Sequence, residues 1–239
     1  PVDGDGELAM TTDSFVVTPV EYPGGDIGRL CVCGTVNDLL MSGAKPRYLT
    51  CGFILEEGLP LARLRRIVHS MAETAKEAGV FIVAGDTKVV ENHSGPEGGL
   101  VINTAGVGFL ARGERRMSPS SIENGDAVIV SGTLGDHHAA ILGRRLNLEN
   151  RIQSDNAPLG EMVTRLLQEG IRVHEMRDVT RGGLATVLNE FAVSSGKMIT
   201  LEEVALPVSP DVRAFCGILG LDPLYMGNEG KMVCLVDGR

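Results

Sequence analysis

Apolar and polar positions along this chain alternate in blocks that switch between a strand period and a helix period, and the switches predict most of its elements. Residues 7–20 (ELAMTTDSFVVTPV) are apolar and β-branched, broken by Thr11-Thr12-Asp13, which predicts a strand with polar residues at a kink or end. Pro23-Gly24-Gly25 marks a turn. Residues 27–43 place Ile27, Leu30, Gly34 and Met41 at helical spacing, and Pro46 is expected to end that segment before a strand over 47–55. Leu61, Leu64, Ile67, Val68, Met71, Ala75 and Ala78 form one face of a helix that opens after Pro60 and stops at Gly79. Val80–Ala84 reads as a short, fully apolar strand, 91–99 as a solvated loop and 100–110 as a further strand. Arg112–Asn124 is polar and rich in Ser, Gly and Pro, so a domain boundary belongs there, with domains of 1–115 and 116–239. Beyond it the pattern predicts a strand over 127–130, a Gly132–Gly135 turn, a helix to Leu146, helices over 158–169 and 183–194, a helix from Ser209 or Pro210 to Gly220, and a strand over 231–236. The fold class is α/β in two domains. A last strand with no element after it is the pattern expected of a fragment, or of a chain with disordered tails.

Composition narrows the partners. The net charge of −9 disfavours nucleic acid and anionic membrane, and the basic clusters Arg63–Arg65–Arg66 and Arg115–Arg116 are small. With no Trp there is little to stack bases on, and no apolar run approaches the ~20 residues of a membrane span. Five Cys, an odd number in apolar contexts, suit buried thiols in a reducing cytoplasm better than a disulfide scaffold.

The chemistry-bearing residues are mostly carboxylates. Asp13, Asp38, Asp86 and Asp178 each lie in or at the end of an apolar segment, where a carboxylate needs a partner. Asn37-Asp38 interrupts an apolar helix and so should face something cationic. Asp86 follows the VFIVAG run and is expected at a strand's carboxyl end. Taken singly, each Asp reads as a helix or turn cap; the set of four reads as a site for a hard cation such as Mg²⁺, and Mg²⁺ suits phosphates. Lys88, two residues past Asp86, is either a surface lysine or a charge for a metal-held phosphate. Glu229, in Gly227-Asn228-Glu229-Gly230, reads as a flexible, exposed tip whose carboxylate is either a base or a turn residue. No P-loop pattern occurs. Neither Cys31/Cys33 nor His137/His138 diverges little enough to face one zinc ion.

In order along the chain, Thr12-Asp13-Ser14-Phe15, Pro23–Gly28 (PGGDIG), Cys33–Asp38 (CGTVND), Leu49–Gly58 (LTCGFILEEG), Gly85–Val89 (GDTKV), Ser131–His137 (SGTLGDH), Asp178–Gly183 (DVTRGG) and Asn228-Glu229-Gly230 resemble the HypE family of hydrogenase-maturation proteins. The ordered set spans nearly the whole chain. That family is similar in fold to aminoimidazole ribonucleotide synthetase (PurM), selenophosphate synthetase and thiamine-monophosphate kinase, ATP users without a P-loop.

The resemblance implies a PurM-like fold whose first domain pairs with its twin into a barrel in a homodimer, with ATP–Mg²⁺ between the domains. It implies Asp13, Asp38 and Asp86 as holders of Mg²⁺, with Asn37, Thr87, Asp178 and Thr180 also toward the nucleotide. Lys88 would meet phosphate or the reacting group, and Glu229 would face the reacting tail. The implied reaction is ATP-dependent dehydration of a carbamoyl group on a C-terminal Cys to a thiocyanate. The carbamoyl group would come from HypF and the cyano group would pass to the HypC–HypD complex. The family's C-terminal Pro-Arg-x-Cys tail and its N-terminal His-Gly-Ser-Gly-Gly segment have no counterpart here, so this stretch by itself is expected not to complete the reaction. Cys234 sits inside Met232–Val236 and is not promoted to the acceptor role. The rival readings are another enzyme of the superfamily, such as a selenophosphate synthetase, and a non-catalytic ATP-binding scaffold.

Overall fold

The computed structural model describes residues 7–110 and 117–238. Arg115–Arg116 and the start of the expected boundary segment lie outside them. The described residues divide into two compact units, 7–21 with 25–110, and 22–24 with 117–238.

The first unit is a four-stranded sheet with helices against one face. Strand β1 (Glu7–Phe15) leads through a short hairpin, β2 (Glu21–Tyr22) and β3 (Gly25–Asp26), into helix α1 (Ile27–Met41). Asp26 caps α1 by accepting the Arg29 amide at 2.8 Å, satisfying one of the amides that the first turn leaves without a partner. Strand β4 (Lys45–Glu56), helix α2 (Leu61–Glu77), strand β5 (Phe81–Val90) and strand β6 (Leu100–Leu110) follow. The sheet order is β1-β6-β4-β5, so β1 and β5 are its edges. Helix α1 is buried on nearly all sides because its residues are apolar or small: Gly34 leaves room for the Phe15 ring, and a methyl on Gly106 would meet Thr35 and Leu39 within 3 Å. Ile27, Leu39, Leu49, Ile67 and Ile102 form the core. Burying one such side chain contributes about 1.5–3 kcal/mol.

Two strand readings need correction. Pro46 does not precede β4; it lies within it, beside a register shift between Pro46 and Tyr48, where an absent amide costs no ladder bond. β5 is not a short, fully apolar strand. It runs ten residues to Val90 and every position is exposed. Its apolar content fits burial only if something outside this unit covers it.

The second unit holds β7 (Ala127–Val130), α3 (Asp136–Arg145), α4 (Gly160–Gln168), β8 (Val173–Asp178), α5 (Gly183–Ser195), α6 (Pro210–Leu219) and β9 (Met232–Val236). β9 is central and antiparallel to both neighbours, in the order β7-β9-β8. The 3.6-residue period did not reveal β8, whose sequence VHEMRD carries polar residues into buried positions. One core packs Leu184, Val187, Leu188 and Phe191 of α5 on Val233 and Leu235. Another joins Ala139 and Ala140 of α3 to Val212, Phe215 and Cys216 of α6. Helix α6 starts at the Ser209 cap with Pro210 in its first turn and ends at Gly220, φ +67°, as its sequence predicts.

Candidate functional site

The sheet register fixes where the first unit's candidates stand. Asp13 pairs with Thr104, Thr104 with Cys51, and Cys51 with Gly85. This row faces α1, since Thr104 bonds the Thr35 hydroxyl and Cys51 is buried. The next row runs Ser14, Asn103, Gly52, Asp86 and faces the other way. Asp13 and Asp86 therefore lie on opposite edges and opposite faces, three strand spacings or roughly 14 Å apart.

Asp38 belongs with Asp13. Its Oδ2 accepts from the Thr11 hydroxyl at 2.9 Å, and Thr11 is two residues from Asp13 on the same face of β1. Asp38 thus has a hydroxyl among its partners. Asn37 is buried beside it. Asp86 and Lys88 share the outer face of β5, with Nζ 3.6 Å from Oδ2 and both side chains about 70% exposed (72% and 71%). Asp86 is therefore a mid-strand, solvent-facing residue, contrary to the strand-end burial expected of it, and Thr87 points to the opposite face. Among the described residues no group of three or more His, Cys, Asp or Glu can hold a metal, so one chain does not gather Asp13, Asp38 and Asp86 round a single ion.

The second unit brings its candidates together. β7 and β8 end, and β9 begins, at the same end of the sheet. Ser131 donates its amide to Met232 O at 3.0 Å, Val179 to Lys231 O at 2.9 Å, and Asn228 to Val179 O at 2.9 Å. Asp178 is buried at the end of β8 and Thr180 follows it. Gly182 and Gly183 then turn into α5 at φ +78° and +65°. A side chain on Gly183 would strike Leu224 O at 2.4 Å, so DVTRGG needs glycine at that position. α3 opens at Gly135, φ +88°, and neither α3 nor α5 has a side-chain cap. Two helix N-termini point toward this end, and the positive end of a helix dipole suits an anion.

Glu229 is not on a flexible, exposed tip. Asn228 is fully buried: its Oδ1 accepts the Gly135 amide at 2.7 Å, and its Nδ2 donates to Val179 O and Met226 O, both at 3.1 Å. Gly227 O accepts from His138 N at 3.2 Å. The turn is tied at both ends, and Glu229 is half-buried on it. Asp155 and Lys231, which sequence reasoning missed, flank Glu229: Asp155 Oδ1 accepts its amide at 3.0 Å, and Lys231 Nζ lies 3.3 Å from Asp155 Oδ2. Only the polar run Gln153–Asn156 ahead of a helix hinted at Asp155. His137 of SGTLGDH bonds Ser154 Oγ through Nδ1 at 2.8 Å and meets the Tyr22 ring edge-on. Burial, with His138 beside it, pushes the His137 imidazole down to about 4, so it is neutral near pH 7.

The thiols are bystanders. All five Cys are buried and unpaired with one another. Burial pushes Cys51 and Cys234 up to about 11, which leaves neither a nucleophile near neutral pH. The Arg63 and Arg66 guanidiniums bind Glu21, and Arg63 also Glu97, so two of the three arginines of this cluster are already paired with carboxylates.

Comparison with known proteins places the chain. Residues 1–110 match the family described as AIR synthase related protein, N-terminal domain, and 123–238 match its C-terminal domain. The carbamoyl dehydratase HypE of Rhodobacter capsulatus is 52% identical over 231 residues, 96% of this chain and 67% of that protein. The chain belongs to the HypE family. A crystal structure of HypE in complex with ATP superposes with a TM-score of 0.93 at 49% identity, covering 99% of this chain and 70% of that one. HypE in a crystal structure of a HypE–HypF complex gives a TM-score of 0.90 at 49% identity, covering 97% and 75%. The chain spans about two thirds of the length of its curated HypE relatives, 67% of one and 65% of another. The PurM-like, two-domain α/β class is that of this family.

Proposed function

We propose that this chain is the ATP-using core of a carbamoyl dehydratase. At its relatives' full length it converts a carbamoyl group on its own C-terminal Cys to a thiocyanate, the source of the cyanide ligand for the iron of [NiFe]-hydrogenase. The observation that carries this reading is the sheet end of the second unit. There a pinned carboxylate, Glu229, stands in a chain half identical to HypE proteins, at the strand ends where two uncapped helices begin.

An amide oxygen leaves poorly. Phosphorylated by ATP, it departs as phosphate, and the C≡N bond forms as the nitrogen loses its protons. Lys88 neutralises charge on the transferring phosphoryl group, and Glu229 takes a nitrogen proton. Asp178, Thr180, Asn37 and Thr87 orient the nucleotide. Mg²⁺ binds well through one or two carboxylates plus phosphate oxygens, and Asp13 with Asp38 fits that donor set. It supplies charge neutralisation when bound. Asp86 joins from a second copy. What supports a homodimer is β5: an edge strand exposed on both faces, bearing Phe81, Val83 and Val89, continuous with an outer sheet face that exposes Leu8, Met10 and Ile54. Such an apolar edge needs a cover, and closure of two sheets into a barrel provides one. A reducing cytoplasm suits buried thiols that form no disulfide. HypF as carbamoyl donor and HypC–HypD as cyanide acceptor complete the proposal, the first supported by the relative solved with HypF.

Intact mass of the chain at its relatives' full length, incubated with HypF, carbamoyl phosphate and Mg-ATP, tests this. The expected sequence is a carbamoyl adduct on the C-terminal Cys, then loss of one water that requires ATP, with Glu229→Gln losing it about 100- to 10,000-fold more slowly. An adduct that never loses water while ATP still binds overturns the dehydratase in favour of a scaffold.

A further inference from the structure

We propose that Asp155 is the positioning residue of the turn that carries Glu229, an inference that rests on the dehydratase reading for its catalytic consequence but not for its geometry. The Asp155 side chain is 4% exposed. Its Oδ1 accepts the Glu229 amide at 3.0 Å. Its Oδ2 faces Lys231 Nζ at 3.3 Å as an ion pair without the alignment of a hydrogen bond, so this oxygen has no hydrogen-bond donor among the described residues. One carboxylate thus holds the residues on both sides of Gly230. The backbone agrees: a methyl on Gly230 would fall 1.9 Å from Asp155 O and 2.9 Å from Ala157 N, so the turn lies directly on the 155–157 segment. That segment is itself fixed, by Ser154 Oγ on His137 Nδ1 at 2.8 Å, by the Asn156 amide on Ser154 Oγ at 3.2 Å, and by Asn156 Nδ2 on the Tyr22 hydroxyl at 3.2 Å.

A neutral acceptor would cap the Glu229 amide equally well. A buried carboxylate is costly unless a cation shares its site. The second function of Asp155 is therefore to place Lys231. The Lys231 stem crosses Gly132, where a methyl would meet Cε at 2.7 Å and Cδ at 3.0 Å, and this brings its ammonium from β9 to the end of β7. Asp155 thus sets two groups of opposite charge at the strand ends: the Glu229 carboxylate through its backbone, and the Lys231 ammonium directly. A positional error of about 1 Å at a reacting group costs roughly 100-fold in rate.

The test has two readouts. Amide exchange followed by NMR on this chain reads position without catalysis. In Asp155→Ala the Glu229 amide is expected to exchange at least ~10-fold faster while Val233–Leu235 stay protected, and in Asp155→Asn, which keeps the acceptor, the Glu229 amide stays slow. Single-turnover water loss from the carbamoylated full-length protein reads the consequence. Asp155→Ala is expected to slow it by about 100-fold with ATP affinity unchanged, Asp155→Asn to recover most of that loss, and Asp155→Ala to add less than ~3-fold in a Glu229→Gln background. Unchanged exchange at Glu229 in Asp155→Ala, or an equal slowing in both backgrounds, overturns the proposal. If the parent protein never loses water, the dehydratase reading fails and the exchange data alone decide for or against Asp155. If Asp155→Ala does not fold, Asp155→Asn decides: a Glu229 amide that exchanges as fast as an unprotected one overturns the assignment, and a protected one sustains it.

Discussion

The two units each set a lysine against an aspartate, and the two pairs differ in nearly everything but chemistry. Lys88 and Asp86, 3.6 Å apart, stand about 70% exposed (72% and 71%) on an uncovered edge strand. Lys231 and Asp155, 3.3 Å apart, are 16% and 4% exposed where three strands end. A pair in water contributes little to stability and remains available to a ligand or a second copy. A buried pair is costly to break, because either survivor is a desolvated charge. The first pair is open to solvent, and the second is enclosed by the turn it holds.

The largest effect is expected where the buried turn rests on backbone. Gly230→Ala should cost about 4 kcal/mol or prevent folding, since its methyl has no space, whereas Gly52→Ala on β4, whose methyl would meet only Asn103 O at 3.9 Å, should stay within ~1 kcal/mol by urea denaturation. Equal losses would erase the contrast between the units. Lys231→Met leaves Asp155 unpaired and should cost roughly 3 kcal/mol. Lys88→Met should leave Tm within ~2 °C while abolishing water loss in the full-length protein, and a matching fall in Tm would show that the exposed pair is structural after all.

Acid should act on the second unit through His137. The folded imidazole sits at about 4 against an ordinary 6.5, held down by burial and then by His138. Above pH 6.5 the ring is neutral folded or unfolded. As pH falls from 6.5 toward 4 only the unfolded chain takes the proton, so stability drops by up to ~3 kcal/mol across that window. Urea titrations at pH 7 and pH 4.5 should show the loss, and His137→Gln should remove most of it; a Gln variant with an undiminished loss would place the titrating group elsewhere. The smallest stability change, with a plain change in mass, is expected for Val83→Glu on β5. Sedimentation should find a dimer in the parent and a monomer in the variant, and two monomers would refute the covered edge.

Much of this architecture was legible because local rules and tertiary packing agree. α2 follows its apolar face from Leu61 to Glu77 and stops before Gly79 at φ +69°; α6 is bracketed by Ser209 and Gly220; β6, β7 and β9 fall where β-branched runs put them. The failures have physical reasons. Val80–Ala84 read as a short strand because its apolar run stops at Ala84, whereas the ladder with β4 carries β5 on through Gly85–Val90. β8 went unseen because His174, with Nδ1 2.7 Å from Asp126 Oδ2, and Glu175, accepting the Met176 amide at 3.0 Å, carry polar groups inside by bonding them there. Asp13 and Asp86 looked like partners because spacing along a chain carries no information about strand order.

By itself the sequence determined most of the elements, the glycines that turn them, the family, and the residue types that could do chemistry, since all of these follow from local sterics, periodicity and ordered motifs. The tertiary structure decided which of those residues meet. It split Asp13 and Asp38 from Asp86 by the register of a four-stranded sheet, and it turned Asn228-Glu229-Gly230 from an apparent loose tip into a pinned turn. It also brought Asp155 from a distant loop to hold Glu229. Hydrogen bonds and burial between residues far apart in sequence settle those pairings, and no local pattern encodes them.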